Sequence, residues 1–144
     1  MENKRVVVDT NVFISALIGQ YSYPYRIFHE LVLTGRVELC MSAELMAEYE
    51  GVCQREKFRR FPQFYARALE LIELLKLLTL NVRPAEPIQF IKDEADNRVL
   101  ELAVAANAFA IVTGNTNDFT FIEYRGIQVY SPKNFYEKYQ PLLD

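Results

Sequence analysis

The side chains with chemistry to offer in this chain are carboxylates, and they gather at the ends of apolar runs. Val6-Val7-Val8 stops on Asp9, followed by Thr10 and Asn11. Val37 to Met41 is followed by Ser42 and then by Glu44, Glu48 and Glu50. Asp93, Glu94 and Asp96 precede an apolar-periodic stretch, and Phe109 to Val112 runs into Thr113-Gly114-Asn115-Thr116-Asn117-Asp118. Oxygen donors of this kind suit hard divalent cations such as Mg²⁺ or Mn²⁺, which take one or two direct carboxylates and keep several waters. Such a cation lowers the pKa of water and offsets negative charge on a phosphoryl oxygen. No Cys/His set competes for the chemistry. His29 is the single histidine, on a helix face, and Cys40 and Cys53 lack zinc-pair spacing and read as inert buried thiols.

Strands must deliver these groups. Three successive valines are too short and too β-branched for a helix and read as a strand covered on both faces. The pattern predicts further strands over Val37–Met41, Leu80–Arg83, Phe109–Thr113 and Ile127–Tyr130. Between them fall helices: one from about Val12, one opened by Pro24 and ended by Gly35, and one capped by Ser42 that carries Leu45, Met46, Tyr49 and Val52. Another runs over Phe64–Leu78 after Pro62, another begins at Asp96 or a near neighbour, and a last one opens at Pro132. Strands alternating with helices imply a parallel sheet with helices on both faces. The expected fold is a three-layer α/β/α sandwich around a mainly parallel five-stranded sheet, a single domain over residues 1–144. Ligands of such sheets bind beyond the strand carboxyl ends, where Asp9, Ser42 and Thr113 fall. Taken singly, each acid also has a plainer reading: Asp9 as a helix cap, Glu48 as a solvated helix residue, Asp96 as a first-turn acid favoured by the helix dipole.

Composition narrows the field. With 144 residues, 51% of them apolar and 24% charged, the chain has the mix of an ordinary globular protein. The formal net charge of −3 argues against a protein that coats nucleic acid by bulk electrostatics, and leaves a nucleic-acid enzyme open. No apolar run reaches membrane-spanning length and no basic-then-apolar leader opens the sequence, so the expectation is a cytoplasmic protein with no membrane partner.

In register, Val6-Val7-Val8-Asp9-Thr10-Asn11-Val12-Phe13-Ile14-Ser15, Ser42-Ala43-Glu44-Leu45-Met46-Ala47-Glu48-Tyr49, Asp96-Asn97-Arg98-Val99-Leu100-Glu101-Leu102-Ala103 and Ile111-Val112-Thr113-Gly114-Asn115 resemble the PIN domain. The resemblance spans nearly the whole chain and is nearest to the toxin components of bacterial and archaeal toxin–antitoxin pairs. It implies a metal-dependent ribonuclease on a three-layer α/β/α fold, acting as a homodimer and silenced by a cognate antitoxin. It also selects among the acids: Asp9, Glu48 and Asp96 match the family's catalytic metal carboxylates. A fourth acid often follows the Thr-Gly pair, and here that place holds Asn115, with Asp118 three residues on as a substitute. Asn11, Ser42 and Thr113 match donors that would orient the carboxylates.

One stretch stands apart. Gln54-Arg55-Glu56-Lys57-Phe58-Arg59-Arg60-Phe61 interleaves cations with phenylalanines. Arg55, Lys57, Arg59 and Arg60 are candidate RNA contacts, with the aromatics as stacking surfaces; the plainer reading is a helix end with Phe58 and Phe61 packed inward. The Leu71–Leu78 stripe is wider than one buried face requires and offers surface for a second copy. Two rival functions follow from the same residues. One is an RNA-binding module with little or no catalysis, motivated by Asn115. The other is a phosphatase or receiver-type domain with Asp9 as phosphoacceptor; Asn11 stands where that chemistry needs a second Asp, and Lys133 is the only late lysine for it.

Overall fold

A computed structural model describes residues 3–115 and 119–140. The first valine run forms β1 (Arg5–Val8), whose three valines are fully buried. Helix α1 (Thr10–Ile18) follows at once, with Asp9 as its N-cap. Ser22 caps a short helix α2 (Tyr23–Arg26), and Pro24 sits in its first turn. The chain continues as a wider π-helical turn over Ile27–Val32 that buries Ile27, Phe28, Leu31 and Val32. Gly35, at φ 77°, supplies the left-handed residue that ends this segment. Strand β2 (Glu38–Met41) leads into α3 (Ala43–Val52), where the Ser42 hydroxyl oxygen accepts from Leu45 N at 3.1 Å. A single 3₁₀ turn (Glu56–Phe58) connects to α4 (Phe64–Leu78), which lies over the range its periodicity predicts.

After β3 (Leu80–Asn81), helix α5 spans Glu94–Ala105. Its cap is Asp93, whose Oδ1 accepts from Ala95 N at 2.8 Å, so Asp96 lies inside the first turn and does not begin the helix. Strands β4 (Ala110–Val112), β5 (Glu123–Tyr124) and β6 (Ile127–Tyr130) precede the final helix α6 (Pro132–Tyr139).

The sheet runs β3-β2-β1-β4-β6-β5. Its pairings are parallel except β5 with β6, an antiparallel hairpin turned by Arg125 and Gly126 at φ 50° and 83°. The expected five strands are all present. The sixth, β5, is two residues long, and its turn lacks the Asn-Gly or Asp-Gly signature that announces a hairpin. Helices α1, α2 and α4 pack on one another, while α5 lies across β1, β2 and β4, giving the helix–sheet–helix layering. Among the described residues no helix is long and apolar enough to cross a membrane.

The order places the topological switch between β1 and β4. From β1 the chain winds outward through β2 and β3; from β4 it continues the other way through β6. The crevice beyond the carboxyl ends of two such diverging strands is where open α/β sheets bind ligands. Here those ends are Val8 and Val112, and the residues that follow them are Asp9 and Thr113.

Candidate metal centre

Asp9 is pinned at the switch point from its backbone outward. Its N–H donates to the carbonyl of Val112 at 2.9 Å, tying the two strand ends together. Its side chain is 6% exposed and accepts three hydrogen bonds. Oδ1 accepts from Thr10 N at 2.8 Å; Oδ2 accepts from the Thr113 hydroxyl at 2.8 Å and from Asn11 Nδ2 at 3.2 Å. The residue is therefore both the helix cap and the centre of a polar network, and its two sequence readings are compatible. Burial pushes its carboxyl above the ordinary carboxylate value. The donors Thr113, Thr10 and Asn11 pull it down, and the charge of Glu48 pushes it further up.

Thr113, itself buried, has one hydrogen to give and gives it to Asp9, so its oxygen is free to accept from Asn115 N at 3.0 Å. The Asn115 side-chain amide then donates to Asp96 Oδ2 at 3.2 Å. A chain of hydrogen bonds thus runs Asp9–Thr113–Asn115–Asp96 across the loop after β4, joining two acids 87 positions apart in sequence. Asn11 closes the arrangement from the other side, with Oδ1 accepting from Gly114 N at 3.1 Å. A Cβ at Gly114 would stand 3.4 Å from that oxygen, which is why the loop approaches α1 this closely only with glycine there.

The charge of Asn115 explains its place. An amide donates to Asp96 where a carboxylate would repel it, so the neutral residue keeps the two acids connected without adding a third negative charge at the loop.

Glu48 sits on α3, half-buried, close enough for its charge to act on both Asp9 and Tyr49. Tyr49 was not among the sequence candidates. It is fully buried, stacks on Phe13 with ring centroids 4.3 Å apart and planes at 12°, and donates its hydroxyl to the Val8 carbonyl at 2.6 Å. Burial, with the charges of Asp9 and Glu48 behind it, holds its phenol well above the ordinary value, so it remains a neutral donor. The effect is to lock α3, and Glu48 with it, to the end of β1. In sequence Tyr49 reads as one more core position of a periodic helix; only its hydroxyl, which a buried tyrosine must partner, hinted at more.

Two other buried polar residues shape the rim. Asn97 Oδ1 accepts from Phe90 N at 3.1 Å and Ile91 N at 2.8 Å, and its Nδ2 donates to the Ile91 carbonyl at 2.7 Å. Glu101 Oε2 accepts from Ile88 N and from Arg98. Together they staple the loop before α5 onto the helix that carries Asp96.

The other acids have separate partners or none of these. Glu50 pairs with Lys76 at 3.8 Å, Glu94 with Arg98 at 3.5 Å, and Glu44 is exposed. Ser42 caps α3. Asp118 lies outside the described residues. His29 is exposed and stacks on Tyr25 at 4.1 Å, on the α2 side of the molecule. Cys40 and Cys53 are buried free thiols, each pushed up to about 11 by burial. Arg55, Lys57, Arg59 and Arg60 are all exposed; Phe58 is buried and Phe61 half-buried, as the plainer reading of that stretch has it.

Among the described residues no three Asp, Glu, His or Cys side chains stand together as a ready metal cage. The donor set nevertheless fits a hard cation. It is all oxygen, and Asp9 uses three of its roughly four lone-pair sites on hydrogen bonds, keeping one on Oδ1. A neighbouring acid already acts on it electrostatically, and Mg²⁺-type sites need only one or two protein carboxylates besides water.

The PIN domain family model matches residues 5–117. The uncharacterized protein MJ1680 of Methanocaldococcus jannaschii is 26% identical over 147 aligned positions, covering 96% of this chain and 94% of that protein. Among solved structures, VapBC2 from Rickettsia felis bound to a DNA fragment from their promoter aligns with a TM-score of 0.57 at 14% identity, covering 88% of this chain and 98% of that one. FitAcB from Neisseria gonorrhoeae aligns with a TM-score of 0.56 at 19% identity, covering 89% and 98%. These two similarities are of fold. The matched segment contains β1, α3, the first turn of α5 and the loop after β4, and by it the chain belongs to the PIN domain family.

Proposed function

We propose that this chain is a divalent-cation-dependent endoribonuclease acting on single-stranded RNA, the toxin of a toxin–antitoxin pair, with residues 1–144 working as one PIN domain. The observation that carries the reading is the hydrogen-bonded chain Asp9–Thr113–Asn115–Asp96 at the switch point, with the charge of Glu48 acting on Asp9. Asp9, Glu48 and Asp96 would hold Mg²⁺ or Mn²⁺, and Asn115 would complete the site as a neutral oxygen donor or through water; Asp118 is a further candidate. When bound, such a cation supplies positive charge against a phosphoryl oxygen and makes water acidic enough to attack a phosphodiester.

The protein's own part is to hold the acids ready. Thr113 and Asn11 fix the Asp9 carboxylate, Asn115 fixes Asp96, and the Tyr49–Val8 bond fixes the helix that bears Glu48. Such fixed orientation is what outer partners contribute at metal sites. Arg55, Lys57, Arg59 and Arg60 supply exposed cations for the RNA backbone. Exposed Leu74, Leu77 and Leu78 on α4 offer apolar surface for a second copy or for an antitoxin. The antitoxin role draws support from the fold shared with VapBC2 and FitAcB, and the cytoplasm is the compartment where RNA and such a partner would meet. The test is cleavage of single-stranded RNA with and without chelator; cleavage that survives chelation would sink the metal-dependent reading.

Asn115 favours a second reading, an RNA-binding module with weak or no catalysis. Asn115→Asp is expected to lower stability without metal, by facing Asp96 with a like charge, and to raise Mn²⁺ affinity measured by titration calorimetry. Undetectable cleavage in both forms, with RNA still bound, would decide for the module.

A further inference from the structure

Beyond the acidic site, the largest cleft in the described structure lies where α3 ends, the 3₁₀ turn passes and α4 begins. It has a volume of about 560 Å³ and is lined by Arg55, Arg59, Phe58, Phe61, Phe64 and Tyr65, with Cys53 at its edge. Its lining is half aromatic and half cationic. Phe58 and Phe64 stack at 4.9 Å to form a buried floor, while Tyr65 is 52% exposed at the rim.

The charge here runs against that of the whole protein. Over Arg55–Arg60 there are four cations and one acid, in a chain whose formal net charge is −3. That acid, Glu56, pairs only with Arg59, at 3.7 Å and with both side chains largely exposed, so it neutralises little. Lys57 and Arg60 lie over the rings of Phe58 and Phe61 at 5.2 and 5.0 Å, which presents the cations on an aromatic support. Gln63 enters α4 in the left-handed region, at φ 59°, and makes no side-chain cap; the first turn of α4 carries no acid and also lines the cleft. The positive end of a 15-residue helix is thus left facing the same space. Cys53 adds no reactivity, since its thiol is buried and donates to the Tyr49 carbonyl.

The position relative to the acids decides the occupant. Glu48 precedes Cys53 by five residues on α3, about 8 Å along the helix axis. We infer that this cleft is an RNA-binding subsite, in which Arg55 and Arg59 take a backbone phosphate and Tyr65, over the phenylalanine floor, stacks on an unpaired base of the strand that enters the acidic site. The inference rests on the ribonuclease reading for the identity of the strand. Single-stranded RNA suits it because its bases are free to stack and its phosphates match the local charge.

The test measures binding separately from cleavage. Full-length protein carrying Asp9→Asn, in chelator, is titrated into a fluorescein-labelled single-stranded RNA of mixed sequence, and anisotropy is followed across salt concentrations. Adding Arg55→Gln with Arg59→Gln is expected to weaken binding at least tenfold and to flatten the log affinity–log salt slope by about 1.4, or about 0.7 per lost phosphate contact. Tyr65→Ala is expected to weaken binding about 5- to 150-fold at an unchanged slope. All three positions are exposed, so the variants fold, and Lys4→Gln at the opposite sheet edge serves as the charge control. RNA binding with unchanged affinity and slope in the arginine variant overturns the inference, as does absence of RNA binding by the parent protein. A change in oligomeric mass with no change in RNA affinity would assign the cleft to a protein contact and overturn it too. Metal-dependent cleavage by protein with Asp9 intact reads the nuclease proposal independently of these outcomes.

Discussion

Thr113→Val is nearly isosteric and removes one hydroxyl that serves two neighbours. The Asp9 carboxylate loses a 2.8 Å donor inside a site where it is 6% exposed, and Asn115 N loses a 3.0 Å acceptor. A hydrogen bond to a charged group contributes about 1.5–3 kcal/mol and a neutral one about 0.5–1.5 kcal/mol, so the substitution costs about 2–4 kcal/mol at neutral pH. The pH dependence separates the two parts. Asp9 already has its pKa raised by burial, and losing a donor to the ionised form raises it further. A raised folded-state pKa means that the associated stability is fully present below the unfolded value and is lost as pH rises through the folded one. The wild-type and variant stability curves, measured in chelator, are therefore expected to lie closest at acid pH. They should diverge as pH climbs from the ordinary carboxylate range through the raised pKa of Asp9, and run parallel above it. Urea denaturation over that pH range reads the gap directly. The same measurement in an Asp9→Asn background removes the charge, and there Thr113→Val should cost about 1–2 kcal/mol less, a coupling typical of residues in direct contact. An equal cost in both backgrounds, with no pH dependence, would refute the assignment of Thr113 as the donor that holds Asp9 ionised.

Tyr49→Phe keeps the stack on Phe13 but leaves the Val8 carbonyl without its 2.6 Å donor; a loss of about 1–2 kcal/mol in denaturant unfolding is expected, and no loss would show that the hydroxyl does not anchor α3. Asn97→Ala releases three hydrogen bonds to the loop before α5 and should cost about 2–4 kcal/mol, with faster amide exchange at Phe90 and Ile91; unchanged exchange there would remove Asn97 from its role as the loop's staple.

The sequence was most informative where local chemistry acts alone. Helix α4 lies where it was read because Pro62 interrupts the chain before it and Leu71, Ile72 and Leu75 keep a steady helical period. The Ser42 cap was legible for the same reason. The start of α5 was not: Asp93, Glu94 and Asp96 all suit a first turn, and only the backbone shows that Asp93 makes the cap. The π-helical widening over Ile27–Val32 carries no local mark, and β5 is too short to have a period. At the site, Asp9 and Thr113 could be placed because each follows a buried strand, and the sheet brings those strands side by side. That Asn115 donates to Asp96, or that Tyr49 ties Glu48's helix to Val8, depends on contacts between distant segments, which spacing alone does not encode.

The account stands on Asp9 as the centre of a working cation site. The most direct measurement sets purified wild-type protein beside Asp9→Asn on single-stranded RNA, each with Mn²⁺, with Mg²⁺ and with chelator, both shown to be folded by circular dichroism. The expected result is cleavage by the wild type with cation only, and none by the variant under any condition. Equal cleavage by the two proteins would contradict it.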